Sequence, residues 1–127
     1  MNVIIIDDDE VNNFLCKKVM ELSTFSTDVH SCESAQEGLE YLIETKGGNP
    51  EQYPDILFLD INMPINTGWD FLDMFDKALE TKSVNPLKIY MLSSSVYEED
   101  INKAEAHVLV TQYVTKPLDE SILKKLK

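Results

Sequence analysis

Cysteine is nearly missing from this chain of 127 residues, and the two present, Cys16 and Cys32, form no CxxC pair. Thiolate metal ligation needs more partners at closer spacing, so both read as small reduced thiols in or near the core. Positive charge is scarce as well: 11 Lys and Arg against 23 Asp and Glu leave a formal net charge of −12. Nucleic acids bind proteins largely through cations that neutralise phosphates, so such a surface repels them, and anionic membranes equally. No apolar run approaches the roughly 18 residues of a membrane-spanning helix. The N-terminus enters Val3-Ile4-Ile5-Ile6 and then three aspartates, a run too short and wrongly flanked for a secretory signal. The expected location is cytoplasmic. Repeats, low-complexity tracts and linkers are lacking too, and the length suits one domain over residues 1–127.

What is present is an alternation of short apolar runs with segments of helical period. Val3–Ile6 is continuously apolar, as a strand covered on both faces must be. Val11, Phe14, Leu15, Val19 and Leu22 then recur at helical steps and predict the inner face of a helix. Phe25–Ser31 leans towards strand. Ser34-Ala35-Gln36-Glu37 has the form of a capping box opening a helix that carries Ala35, Leu39, Leu42 and Ile43 on one side. Gly47-Gly48-Asn49-Pro50 breaks that helix, and an extended connection continues to Pro54. Asp55–Leu59 is the next strand and ends at Asp60. Pro64 and Gly68 punctuate the turn before a helix with Trp69, Leu72, Phe75 and Leu79 along one side and Phe71 close by. Leu87–Leu92 is a strand after Asn85-Pro86. Ser95-Val96-Tyr97-Glu98 offers a second capping box, with Ile101, Ala104 and Val108 at helical spacing. Val110–Val114 predicts the last strand and Leu118–Leu126 a short closing helix.

Five β–α units without hairpin signals predict an α/β fold: a doubly wound, five-stranded parallel sheet with helices on both faces. In a sheet of flavodoxin-like order 2-1-3-4-5, ligands gather outside the carboxyl ends of the strands, where strands 1 and 3 meet. The polar residues there are Asp7, Asp8 and Asp9, then Asp60, Ser93 and Lys116. Several carboxylates in one cleft repel one another unless a cation neutralises them, and hard oxygen donors favour Mg²⁺. With such a metal and the Lys116 ammonium screening an incoming phosphoryl group, one carboxylate becomes a competent nucleophile. Ser93 supplies a hydroxyl to a phosphoryl oxygen. Positioning and charge stabilisation carry most of this chemistry, so no general base is required.

The segments Ile4-Ile5-Ile6-Asp7-Asp8-Asp9, Leu57-Phe58-Leu59-Asp60-Ile61-Asn62-Met63-Pro64, Met91-Leu92-Ser93-Ser94 and Tyr113-Val114-Thr115-Lys116-Pro117 resemble the signatures of two-component response-regulator receiver domains of the CheY-like, stand-alone type. They stand in order and cover essentially the whole chain. The resemblance implies that Asp60 is the phosphoacceptor, that Asp8 ligates Mg²⁺ (or Mn²⁺) directly, and that Asp7 acts on it through water. Asn62 would contribute its backbone carbonyl to the same ion. Ser93, with Ser94 beside it, takes the place of the switch hydroxyl and phosphoryl-binding residues, and Lys116 that of the site lysine. Lys116-Pro117 resembles the family's cis peptide, and Tyr113 its aromatic switch, whose ring turns inward as the hydroxyl moves to the phosphate. The implied donor is a phosphohistidine on a sensor histidine kinase or a histidine phosphotransfer protein. The implied output is a protein effector, with a phosphorylation-dependent dimer as a further state. Such a receiver is not an enzyme beyond its own phosphorylation and dephosphorylation.

The sequence departs from that pattern at Leu109-Val110, where Gly-Ala is common, so the preceding helix end needs another way to satisfy its carbonyls. The connection from Thr45 to Pro54 is longer than usual, and Asn62 and Ser95 stand where relatives tune phosphoryl lifetime. Other readings weigh less. A calcium loop would need an oxygen ligand at Val11, glycine at Asn12 and glutamate at Lys18. A haloacid-dehalogenase-type phosphatase would carry its nucleophile on the first strand, usually beneath a cap domain. A pseudo-receiver kept only for interaction would not need the complete acceptor, acid, hydroxyl and lysine set. A flavodoxin-like cofactor binder would not carry an acidic phosphate loop. Asp9 reads as a helix cap, Glu98-Glu99-Asp100 as a solvated first turn, and His30 and His107 as isolated residues.

Overall fold

The computed structural model describes residues 1–126. Strands β1 (Asn2–Ile6), β2 (Asp28–Cys32), β3 (Ile56–Leu59), β4 (Lys88–Ser93) and β5 (Gln112–Thr115) alternate with helices α1 (Glu10–Leu22), α2 (Ala35–Gly48), α3 (Gly68–Glu80), α4 (Glu98–Ala106) and α5 (Glu120–Lys125). The strands pair in parallel in the order β2-β1-β3-β4-β5. This is the flavodoxin-like order expected from the sequence.

The continuous apolar runs exist because the sheet is covered twice. Val3 and Ile5 of β1 pack with Cys16 and Met20 of α1 and with Leu118 and Leu123 near α5. Ile4 and Ile6 point the other way, into a layer with Leu42, Phe71, Leu72 and Phe75. All four are at most 1 % exposed, and fully burying each such side chain contributes roughly 1.5–3 kcal/mol. A one-residue slip would exchange the two layers, so the register is tightly specified.

Helix α1 corrects the predicted face. Val11, Phe14, Leu15 and Leu22 are exposed and Val19 is half-buried, while Asn13, Cys16 and Met20 face the sheet. The rotation is set at the helix start, where the Asn13 amide donates to the Asp7 carbonyl oxygen at 2.9 Å. The small Cys16 then allows close approach to β1. Apolar periodicity alone therefore chose the wrong stripe.

Ser34 caps α2 as expected, accepting from Glu37 N at 3.1 Å, and the Glu37 carboxylate accepts from Glu33 N. Gly47 and Gly48 stay within that helix as its last two residues, with Asn49 as the C-cap, and a 3-10 turn at Pro50–Gln52 fills the long connection. A full capping box starts α3 instead, between Thr67 and Asp70. The box expected at Ser95 is absent: Tyr97 is the N-cap of α4, with no side-chain cap bond. Val108 lies beyond the end of that helix and is 93 % exposed. His107 solves the missing-glycine problem there. Its backbone N–H donates to Ala104 O at 3.1 Å, and its Nδ1 accepts from Leu109 N at 3.1 Å.

Candidate functional site

Strands β1 and β3 are neighbours with Ile6 opposite Leu59, so the next residues, Asp7 and Asp60, leave the sheet side by side. The ladder continues through them: Asp7 N donates to Cys32 O and Asp60 N to Ile6 O, each at 3.0 Å. Asp7 is 2 % exposed and Asp60 6 %, while Asp8 is exposed. One carboxylate oxygen from each of the three lies within 4.8 Å of the others. Lys116 enters from the far side. Its backbone N–H donates to Ser93 O at 2.9 Å, and its peptide bond to Pro117 is cis. Its ammonium lies 2.7 Å from Asp7 Oδ2 and 3.6 Å from Asp60 Oδ1.

Around this centre, Ser93 is fully buried and its hydroxyl accepts from Ser95 N at 3.2 Å. Tyr113 is half-buried and donates its hydroxyl to Ser95 O at 2.6 Å. Asn62 and Ser94 are exposed on the loops beside the cluster. Asp9 is the α1 cap, accepting from Val11 N at 3.0 Å and Asn12 N at 3.2 Å. His30 stacks on Tyr41 with ring centres 3.9 Å apart, away from this chemistry.

Two amides escaped the sequence reading. Asn12 donates through Nδ2 to Asp7 Oδ2 at 2.8 Å, and Asn13 holds the Asp7 carbonyl. With Asp9 N on Oδ1 at 3.0 Å, both Asp7 oxygens accept hydrogen bonds. Paired amides in the first helical turn after an acid run are the signal that was available.

Burial, and next the Asp7 charge, push the Asp60 carboxyl up to about 6, with the Lys116 ammonium acting in opposition. Burial pulls the Lys116 ammonium down, but its hydrogen bond to Asp7 and the Asp60 charge outweigh that and hold it above its ordinary value. Burial, then Asp7, raise the Cys16 thiol to about 11, which favours its protonated form at neutral pH. Three clustered carboxylates facing one ammonium leave negative charge that a hard divalent cation neutralises. An all-oxygen donor set fits Mg²⁺.

Gly68 packs directly against the backbone of Asp60 and Ile61. A Cβ there would overlap the Asp60 carbonyl oxygen and lie 3.1 Å from Ile61 Cα, and the glycine N–H donates to Ile61 O at 2.8 Å. The obstruction is backbone, which cannot swing aside. Gly68→Ala is therefore expected to cost about 2 kcal/mol and lower Tm by roughly 6–10 °C, as overpacking does. Thermal unfolding by circular dichroism checks this, and an unchanged Tm would contradict the close approach.

Residues 3–126 match the family profile described as the response regulator receiver domain. The chain belongs to the response-regulator receiver family. A two-component response regulator from Cytophaga hutchinsonii is 33 % identical, with a TM-score of 0.87 over 98 % of this chain and 92 % of that one. A response regulator receiver protein from Dyadobacter fermentans is 28 % identical, with a TM-score of 0.79 over 99 % and 94 %. The transcriptional regulatory protein BtsR of Escherichia coli is 28 % identical over 98 % of this chain and 46 % of its own length. The chain thus spans about half the length of that curated relative. Members of the receiver family bind Mg²⁺ at an acidic pocket, and in this chain Asp7, Asp8 and Asp60 gather into an acidic cluster. They work with histidine kinases and downstream effectors. Among the described residues no helix is long and apolar enough to cross a membrane.

Proposed function

We propose that this receiver, a single domain over residues 1–127, accepts a phosphoryl group on Asp60 from a phosphohistidine. The donor is a sensor histidine kinase or a histidine phosphotransfer protein. One observation carries the reading: the buried Asp60 carboxylate sits between an acid pair and an ammonium 3.6 Å away. Asp8 and Asp60 would hold Mg²⁺ directly, Asp7 through water, and Asn62 by its backbone carbonyl. When bound, the ion supplies positive charge that lets two anions approach.

An Asp60 oxygen attacks phosphorus as the phosphorus–nitrogen bond of the phosphohistidine breaks. The imidazole nitrogen keeps the bonding pair, and Asp60 becomes an acyl phosphate. Lys116 neutralises a phosphoryl oxygen. Ser93, exchanging its bond from Ser95 N for the phosphoryl group, donates to another, with Ser94 beside it. Tyr113 follows that shift and carries it to the α4–β5 face, where a protein effector or a second copy reads it. The domain turns over no separate substrate. The exposed Val11, Phe14 and Leu15 on α1, close to Asp8, support docking of a phosphodonor protein there. With no span among the described helices, the cytoplasm is the proposed location.

Acetyl phosphate replaces the unknown donor in the test. With Mg²⁺, intact mass spectrometry should show one labile phosphoryl group per chain, and EDTA should abolish it. Absence of an adduct with Mg²⁺ present would sink the proposal, as would an adduct indifferent to EDTA.

A further inference from the structure

Three acids open α4, and the sequence reads them alike as a solvated turn. The structure separates them. Glu98 and Glu99 are exposed, whereas Asp100 is half-buried and its Oδ2 accepts from the Ser95 hydroxyl at 2.5 Å. Ser95 is itself 9 % exposed and is the centre of the β4–α4 loop. Its N–H donates to Ser93 Oγ at 3.2 Å, its carbonyl accepts from the Tyr113 hydroxyl at 2.6 Å, and its own hydroxyl oxygen accepts from Tyr97 N at 3.4 Å. The flanking Val96 and Tyr97 are each 74 % exposed, so apolar packing does little to hold this loop. A capping-box acid at Asp100 would reach back to the N-cap amide. Here it grips the serine that stands between the N-cap and the sheet.

We infer that Asp100 is a positioning residue of the switch: through Ser95 it holds the β4–α4 loop so that the Tyr113 hydroxyl is docked before any phosphoryl group arrives. The Ser95 hydroxyl bond to the Asp100 side-chain oxygen ends on the first turn of α4. It ties that helix to the same residue that contacts both Ser93 and Tyr113. When Ser93 turns to the phosphoryl group, the bond from Ser95 N is released while the bonds to Asp100 and Tyr113 remain. Loop, helix and tyrosine then move together. The consequence for phosphorylation rests on the proposed function; the docking of Tyr113 does not.

The test uses the full chain labelled with 3-fluorotyrosine, with the Tyr113 resonance assigned through Tyr113→Phe. In ¹⁹F NMR without any phosphodonor, Asp100→Ala is expected to move that resonance towards the solvent-exposed position. Ser95→Ala should do the same, and the double variant should add nothing further. Asp100→Asn keeps an acceptor oxygen and should stay close to the unmodified protein. A Tyr113 signal unmoved by Asp100→Ala overturns the inference, and so does Asp100→Asn behaving like Asp100→Ala. Should Asp100→Ala fail to fold, the Ser95→Ala and Asp100→Asn pair decides in its place. With acetyl phosphate and Mg²⁺, Asp100→Ala should lower the steady-state adduct roughly five-fold, the lower end of ordinary coupling between sites. If the unmodified protein forms no adduct, the proposed function fails while the fluorine measurement still decides the role of Asp100.

Discussion

Asp60→Asn is expected to remove the acetyl phosphate adduct altogether while making the metal-free protein more stable at neutral pH. The two effects share one cause. Asp60 is 6 % exposed and its carboxyl is pushed up to about 6 by burial and by Asp7, against an ordinary 3.8 in the unfolded chain. The folded state then binds the proton more tightly than the unfolded state between about pH 4 and pH 6. Stability from this group falls as pH rises through that window, and the full penalty is present above it. Each tenfold change in proton affinity corresponds to about 1.4 kcal/mol. Discounted for solvent relaxation, asparagine should recover roughly 1–2 kcal/mol in EDTA at pH 7.5, and close to nothing at pH 4. Denaturant titrations at the two pH values check it. Equal gains at both would assign the effect to packing rather than to charge.

Lys116→Met should slow adduct formation by roughly 100-fold, the usual scale for removing one aimed charge from a transition state. It should also tighten Mg²⁺ binding. The ammonium now occupies Asp7 Oδ2 at 2.7 Å and competes for the charge of Asp60 at 3.6 Å, so the cation must act against it. Removing the competitor should raise cation affinity even as it removes the group proposed to face the phosphoryl oxygens. Affinity is read by calorimetric Mg²⁺ titration and the rate by the time course of adduct mass. Weaker Mg²⁺ binding in the variant would show that Lys116 supports the acids rather than competing for them.

The strands were legible because burial on both faces writes them as continuous apolar runs, as in Val3–Ile6 and Leu57–Leu59. The β–α alternation implied a parallel sheet, and the flavodoxin-like order adopted for it brought Asp7, Asp8, Asp60 and Lys116 to one edge. Helix faces were less legible. On α1 Val11, Phe14, Leu15 and Leu22 point outward and Val19 is half-buried, because two amides after Asp7 set the rotation and an exposed apolar stripe resembles a core face in sequence. The same degeneracy hid Asp100. An acid in a first helical turn looks the same in sequence whether it meets water or a loop serine. Ser95 shows the converse error: it has capping-box spacing to Glu98, but the helix starts at Glu98 with Tyr97 as its N-cap, and the Ser95 hydroxyl donates to Asp100 instead.

The central claim is that one side chain, Asp60, carries the phosphoryl group as an acyl phosphate. Borohydride reduction of the protein after acetyl phosphate and Mg²⁺ treatment tests it most directly, because reduction converts an aspartyl phosphate into homoserine. Peptide mass spectrometry should find homoserine at position 60 and nowhere else. Homoserine at Asp7 or Asp8, or a phosphate ester on Ser93 that survives reduction, would contradict the account.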